Sequence, residues 1–365
     1  MAGVIDYVAW RGDLSFSDNK FCEVDGSILS MLAYIDFGAI CGNEELTLRE
    51  VAKKRCAKLY RSKNNMGLII PSEDINNLFY AAAKSRRFGN MRISDFKSYT
   101  SQARMCQFAA VTFHMPNGRL AIAFRGTDDS IVGWREDVGL AYLDRIPSQI
   151  LAVDYLQRIA EKYPDEKIYI CGHSKGGNLS VYSLVNCKEE TAARVLKAFS
   201  YDGPGLDDAS FNSPRYKAVK RKLEIIIPQS SFIGIMFNIG DQYTVVNCTR
   251  KGAHQHDSFY WSVCGASFEH LDSLSERGKK NEEQFKASMS RMSLNERREL
   301  AETLFEIVDR TGAKTLTELS RGGIKNIGVI VKNYHGLDKQ KREIILGLFL
   351  KLFDLGKERK RLTDK

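Results

Sequence analysis

One short stretch of the sequence has the residue types and spacing of a nucleophilic serine. Residues 172–177 are Gly-His-Ser-Lys-Gly-Gly, so Ser174 has a glycine two positions before it and another two positions after it. In this motif the hydroxyl projects from a tight strand-to-helix turn, and the glycines let neighbouring backbone pass closely. The pattern predicts Ser174 as the nucleophile of an acyl transfer. An ordinary Gly-rich turn with a capping serine is the alternative.

A serine hydroxyl is a weak nucleophile until a base accepts its proton, and histidine is the most frequent base. The chain has six histidines. In the fold typical of this motif the acid and the histidine follow the serine in the chain, which disfavours His114. His256 follows a predicted strand at 243–247, where a loop at the carboxyl edge of a sheet is expected. We therefore predict His256 as the base, with His254 as the alternative.

The elements around the motif alternate between strand and helix patterns. An apolar run leads directly into the motif and a helix pattern begins at Gly176. Two β-type runs flank Asn117-Gly118 and predict a hairpin. The predicted strands are 107–113, 119–124, 167–171, 195–201, 223–227 and 243–247, and an amphipathic helix covers 149–162. This alternation predicts an α/β fold with a mainly parallel central sheet flanked by helices.

Three parts of the chain differ in pattern. Residues 1–100 have mostly helical spacing, and 101–275 carry the predicted strands and the motif. Residues 276–365 contain 21 Lys and Arg against 14 Asp and Glu, which is +7 of the net charge of +9. Ser293-Leu-Asn-Glu296 is a capping box that predicts a helix through Val308, and Asp338 is predicted to cap a final helix. We expect a basic, helical C-terminal subdomain after the catalytic core.

Composition disfavours several other classes of protein. The first 14 residues lack a basic start followed by an apolar run, and no stretch approaches the roughly 20 apolar residues of a membrane span. The eight cysteines contain no CxxC pair, so zinc-type spacing is missing and a reducing cytoplasm is expected. We expect no metal or cofactor. The basic tail lacks aromatic interleaving, which disfavours nucleic acid as a partner. Peripheral contact of the last helix with an anionic membrane is an alternative to core or oligomer packing.

A second motif precedes the serine. Phe124-Arg-Gly-Thr127 ends a predicted strand and Trp134-Arg-Glu-Asp137 follows it. Together with residues 172–177, this pair resembles the class 3 (fungal-type) lipases of the α/β-hydrolase superfamily over roughly residues 100 to 270. The whole chain resembles the Mbeg1-like family more closely, on the segments Trp10-Arg-Gly-Asp-Leu-Ser-Phe16, Glu23-Val-Asp25 and Gln255-His-Asp257.

The resemblance implies an α/β-hydrolase fold and an oxyanion hole. In the lipases the residue matching Thr127 lines this hole together with the amide that follows the serine, here the amide of Lys175. Preorganised donors of this kind stabilise the negative charge of a tetrahedral intermediate. The alternative is that Arg125 and Thr127 only end a strand, with Asp128 capping the next element.

The resemblance leaves the acid of the triad open. In the lipases the acid follows the strand that here covers 223–227, but the matching stretch, Pro228-Gln-Ser-Ser-Phe232, has no carboxylate. Asp241, before the next strand, is the preferred candidate. Ser230 or Ser231 in the place of the acid is an alternative. Asp202 is a third candidate, although its Asp-Gly-Pro-Gly sequence is more typical of a structural turn.

We expect hydrolysis of a carboxylic ester with an acyl group, such as a lipid or phospholipid, through an acyl-enzyme. The apolar segment 231–237 is predicted to form a lid, a wall of the acyl pocket or a buried crossover helix. The alternative function is a non-catalytic relative that binds a ligand or partner through the same cleft, a hypothesis motivated by the missing carboxylate after Ile227.

Overall fold

The computed structural model of the protein describes residues 2–42, 44–55 and 72–321. The strands are β1 (Leu46–Thr47), β2 (Arg92–Ser101), β3 (Cys106–Met115), β4 (Arg119–Phe124), β5 (Lys167–His173), β6 (Val195–Tyr201), β7 (Leu223–Pro228), β8 (Tyr243–Val246), β9 (Val263–Cys264), β10 (Ser267–Phe268) and β11 (His270–Leu271). The helices are α1 (Val4–Arg11), α2 (Glu23–Leu32), α3 (Phe37–Cys41), α4 (Leu48–Arg55), α5 (Ser72–Lys84), α6 (Arg86–Gly89), α7 (Ile131–Gly139), α8 (Pro147–Lys162), α9 (Lys175–Asn186), α10 (Glu189–Arg194), α11 (Asp208–Asn212), α12 (Pro214–Val219), α13 (Glu276–Ser290), α14 (Leu294–Thr311) and α15 (Leu316–Arg321).

Within the described residues, the main sheet has nine strands in the order β1-β2-β3-β4-β5-β6-β7-β8-β11. The five strands from β4 to β8 are parallel, and β1 to β3 and β11 add antiparallel edges. Helices occupy the first three of the crossovers between parallel strands, as such connections require. This is the predicted α/β-hydrolase fold, with a mainly parallel sheet flanked by helices.

The central strands are buried on both faces because helices cover both. Alternate residues of a strand point to opposite faces. In β5, Tyr169 and Cys171 pack in the cluster that contains α1, α2 and α5. Ile168 and Ile170 pack in the cluster that contains α8 and α9. The fully apolar strand pattern that predicted burial therefore reflects two separate cores.

The hairpin predicted around Asn117-Gly118 is present as β3 and β4, which pair antiparallel, with Gly118 at φ +71°. Strand β2 lies inside the stretch predicted as mostly helical. Its central part is half-buried and exposed, so it lacks the apolar run that marks the other strands. Pairing with the fully buried β3 places it in the sheet.

The C-terminal helices α13 to α15 follow the sheet, and the capping box at Ser293 and Glu296 opens α14 as predicted. Helix α14 packs on α7, where the ring of Phe305 lies 5.1 Å from that of Trp134. The amide of Leu316 donates to the carbonyl of Asp129 at 2.9 Å. The C-terminal part thus contacts the segment just after Thr127. The final helix predicted after Asp338 lies outside the described residues.

Candidate active site

Ser174 occupies the strand-to-helix turn between β5 and α9 in a strained conformation, with φ +58° and ψ −129°. The neighbouring glycines are required for this turn. A Cβ on Gly172 would lie 2.1 Å from the carbonyl oxygen of Gly176, and a Cβ on Gly176 would lie 2.2 Å from the carbonyl oxygen of Phe124. A non-glycine residue at positive φ is uncommon and frequently functional. The geometry is that of a nucleophile elbow.

His256 lies in a short 3-10 turn, Gly252–His256, in the loop that follows β8. Its Nδ1 donates to Oδ2 of Asp202 at 2.6 Å, and the side chains are 11% and 1% exposed. Asp202 directly follows β6, the strand beside β5, and the amide of Ser174 donates to the carbonyl of the preceding Tyr201 at 3.0 Å. The turn of Ser174 and the carboxylate of Asp202 therefore lie at the same edge of the sheet, and His256 is held there by Asp202.

Asp202 is held by more than its contact with His256. Its Oδ1 accepts from Ser231 Oγ at 2.5 Å and from the amide of Gly234 at 3.0 Å. The backbone of Asp202 is at φ +46°, a conformation that an aspartate adopts more readily than most residues. One oxygen of the carboxylate is thus hydrogen-bonded to the loop after β7, and the other is hydrogen-bonded to the imidazole.

The structure places Asp202, and not the preferred candidate Asp241, against His256. Asp241 is exposed, and the titratable group that it affects is Tyr216, whose pKa is raised by burial and by the charge of Asp241. Asp202, which the sequence favoured as a structural turn residue, contacts His256. The hydroxyl of Ser231, the alternative candidate, donates a hydrogen bond to Asp202. The signal that could have identified Asp202 is its position immediately after a strand next to β5, at the edge where the elbow lies.

His173, the residue before the nucleophile, supports the loop that carries His256. Its Nε2 donates to the carbonyl oxygen of His256 at 2.6 Å, and the two rings are 4.5 Å apart. Burial and the nearby His256 hold the pKa of His173 well below its usual value, so this ring is neutral. Its Nδ1 then accepts from Tyr34 Oη at 3.5 Å. His173 therefore positions His256 and does not compete with it as a base.

Thr127 lies in the loop between β4 and α7, and its Oγ1 donates to Oδ2 of Asp137 at 2.5 Å. Gly126 lets this loop approach the elbow, because a Cβ there would lie 2.3 Å from Tyr34 Oη and 3.2 Å from Ser174 Cβ. Burial raises the pKa of Asp137 to about 6. The loop that carries Thr127 thus lies next to Ser174.

Lys175 is the first residue of α9, so its amide has no acceptor within the helix and points out of the N-terminus. That amide is the second donor implied for the oxyanion hole. The side chain was not anticipated as a feature of the site. It is 1% exposed and pairs with Glu136 of α7 at 2.8 Å.

The apolar segment 231–237 is not a helix. It forms turns, and Ile235 is buried while Phe232, Met236 and Phe237 are half-buried. The amide of Gly205 donates to the carbonyl of Met236 at 2.8 Å, and Phe237 packs on Phe285 of α13. The alternative of a buried crossover helix is therefore wrong, and the segment is irregular and lies beside Asp202.

The Mbeg1-like family matches residues 82–306, which is well over half of the chain. The chain belongs to the Mbeg1-like family. This match includes the elbow, Asp202, His256 and the loop of Thr127. None of the curated proteins matches the chain in sequence.

Several solved structures of fungal lipases are similar in part. A Rhizomucor miehei lipase in complex with its propeptide is 13% identical, with a TM-score of 0.39, and the match covers 66% of this chain and 79% of that one. Lipase II from Rhizopus niveus is 11% identical, with a TM-score of 0.35 and coverage of 68% and 84%. Scores and identities this low say nothing about what this Mbeg1-like protein acts on.

Within the described ranges, no helix combines the length and the apolar character needed to cross a lipid bilayer.

Proposed function

We propose that this Mbeg1-like protein is a serine hydrolase that cleaves a carboxylic ester through an acyl-enzyme on Ser174. The observation that carries the proposal is the 2.6 Å contact between His256 Nδ1 and Asp202 Oδ2 beside a strained serine elbow. A buried carboxylate that accepts from Nδ1 fixes the tautomer in which Nε2 accepts a proton. A base of that tautomer beside a serine is the arrangement that activates a hydroxyl.

The steps follow from these groups. Ser174 Oγ attacks the ester carbonyl while His256 Nε2 takes its proton. The oxyanion that forms receives hydrogen bonds from the amide of Lys175 and from Thr127. His256 then returns the proton to the leaving alcohol, and water, activated by the same imidazole, releases the acid from Ser174. Asp202 keeps the imidazole oriented and stabilises its protonated form, without becoming protonated itself.

We propose an acyl ester of a lipid or phospholipid as the substrate class. The irregular segment 231–237 supports this substrate class, because its half-buried apolar side chains lie next to the hydrogen bond between Ser231 and Asp202. Apolar walls with a few placed polar groups are typical of sites for apolar ligands. The alternative of a non-catalytic binding module rested on the missing carboxylate after Ile227, and the Asp202 contact removes that motive.

A fluorophosphonate probe tests the proposal. We expect it to label the wild type and to leave Ser174→Ala unlabelled, because the probe reacts only with an activated serine. Hydrolysis of p-nitrophenyl esters of increasing acyl length then tests the lipid assignment, with a preference for long chains expected. Absence of labelling in the folded wild type would favour the binding module, and a preference for acetate would remove the lipid assignment.

A further inference from the structure

Lys175 brings a second group to the site besides its amide. Its ammonium is buried, and Nζ donates to Gln107 O at 2.7 Å, to Gln107 Oε1 at 2.8 Å and to Glu136 Oε2 at 2.8 Å. These contacts use all three of its protons. Glu136 also accepts from the amides of Gln107 and Ser148, at 2.9 and 2.8 Å. The ion pair is therefore fully hydrogen-bonded, which fixes the ammonium in place.

The fixed ammonium lies beside Asp137, the next residue along α7 from Glu136. Nζ is 3.8 Å from Asp137 Oδ1, which is too long for a hydrogen bond but close for two charges. Asp137 Oδ1 is buried and has no hydrogen-bond partner in the part of the chain that the structure describes. Asp137 Oδ2 accepts from Thr127. Asp137 thus links the ammonium to the oxyanion hole.

The Thr127 hydroxyl has a single proton, so it donates one hydrogen bond at a time. While Asp137 is ionised, that proton points to Oδ2 and is withheld from the oxyanion. When Asp137 takes up a proton from solvent, its own O–H donates to Thr127 Oγ1, and the hydroxyl proton is free to point into the oxyanion hole. The two states differ by one proton and by the direction of one hydrogen bond.

We propose that the Lys175 ammonium sets the protonation state of Asp137, and that Asp137 in turn decides whether Thr127 donates its hydroxyl to the oxyanion. The inference rests on the proposed hydrolase function and deepens it. Lys175, through its side chain, and Asp137 are positioning residues, since neither of these side chains is assigned a contact with the substrate.

The surroundings of Asp137 allow both states near neutral pH. The groups that face it are Glu136 on its own helix, Asp128 on the preceding loop, Tyr34 just after α2, and Lys175 on α9. Arg125 on the same loop pairs with Asp128. Burial raises the pKa of Asp137 to about 6, and Glu136 and Asp128 act in the same direction. The ammonium of Lys175 and the hydrogen bond from Thr127 lower it. Removing the ammonium therefore moves the titration of Asp137 to higher pH.

Two variants test this chain of effects. In Asp137→Asn the amide NH2 donates to Thr127 Oγ1 at every pH, which fixes the state with a free hydroxyl proton. The double variant Lys175→Met with Glu136→Gln removes the ammonium and its counter-charge together, so no uncompensated charge stays buried. The readout is the second-order rate of fluorophosphonate labelling from pH 5 to 8, divided by the rate of Asp137→Asn at the same pH. Because both proteins contain His256, this ratio cancels its titration.

We expect the ratio for the wild type to fall as pH rises, with a midpoint near 6 and a total loss of up to about a hundredfold. In the double variant the midpoint should still move to higher pH, because the lowering effect of the ammonium on the pKa of Asp137 is larger than the raising effect of Glu136, which is removed with it. Unfolding in urea at both ends of the pH range shows that each variant is folded, and if the double variant is not, the wild-type ratio still decides. A ratio that does not change with pH, or an unmoved midpoint in a folded double variant, overturns the inference alone. No labelling of the wild type overturns the proposed function with it.

Discussion

The substitution Asp202→Asn tests the proposed triad most directly, because it removes a charge and keeps nearly the same shape. In the wild type two donors, Ser231 Oγ and the amide of Gly234, face Oδ1, and His256 Nδ1 faces Oδ2. The new amide oxygen is the better acceptor for those two donors, so we expect it to take the place of Oδ1. The NH2 group then faces His256.

An NH2 group that faces Nδ1 donates to it, so the imidazole must carry its proton on Nε2. That tautomer has no lone pair for the proton of Ser174. Loss of the correct tautomer in a serine triad lowers kcat by about 10,000-fold, or about 5 kcal/mol of transition-state stabilisation. Since the side chains of Asp202 and His256 are 1% and 11% exposed, little water can replace the lost contact. We expect a loss of about 1,000- to 10,000-fold.

The rate of fluorophosphonate labelling measures this loss, and urea unfolding shows whether the variant is folded. Asp241→Asn is the matched control: it removes the acid that the sequence favoured, and its rate should stay within about twofold of wild type because an exposed carboxylate is well screened. A folded Asp202→Asn protein that keeps more than a tenth of the wild-type rate would refute the reasoning. An equal loss in Asp241→Asn would refute it as well.

Three further substitutions test other parts of the structure. Gly126→Ala places a Cβ 2.3 Å from Tyr34 Oη, so the Thr127 loop should be displaced. Fluorophosphonate labelling should then slow by up to about a hundredfold, and a rate close to wild type would contradict this packing. Phe305→Ala removes a ring that is 4% exposed, and the free energy of unfolding in urea should fall by about 3 kcal/mol; no change would mean that α14 does not pack on α7. Burial raises the pKa of Asp257 to about 8, so the folded state favours its neutral form. Stability should therefore fall relative to Asp257→Asn by about 1.4 kcal/mol per pH unit from the ordinary aspartate pKa up to about 8, and parallel curves of unfolding free energy against pH would contradict this.

The parts of the site that are local in sequence could be predicted. The elbow depends on a strand, two glycines and a helix within a dozen residues, and the structure has all of them around Ser174. His256 was predicted from chain order and from its place after β8, and it is the histidine that contacts Asp202. Local pattern and the topology of a parallel sheet are sufficient for these features, because both limit where a side chain ends up.

The parts that depend on distant contacts could not be predicted. Asp202 and His256 are 54 residues apart, and the positive φ that aims Asp202 at the imidazole leaves no mark in the sequence. The buried ammonium of Lys175 finds its acceptors 68 and 39 residues earlier, on β3 and α7. A lysine in an otherwise buried helix start was a signal that a partner must exist, since an unpaired buried charge is very costly, but the sequence does not identify the partner.

The position of the proposed acid shows what a triad requires of its fold. Strand β6 pairs with both β5 and β7, with Tyr201 opposite His173 on one side and Ile226 on the other. Residues that follow β6 and β7 therefore reach the same edge, and Ser231 after β7 touches the carboxylate of Asp202 after β6. A carboxylate from either strand end can lie against one imidazole, because the reaction depends on where the oxygen lies and not on which strand supplies it. In this chain Ser231, after β7, donates a hydrogen bond to Asp202, the proposed acid, instead of providing the acid. A search that demands a carboxylate after β7 would classify the protein as lacking a triad, although its Asp202–His256 contact has the geometry of one.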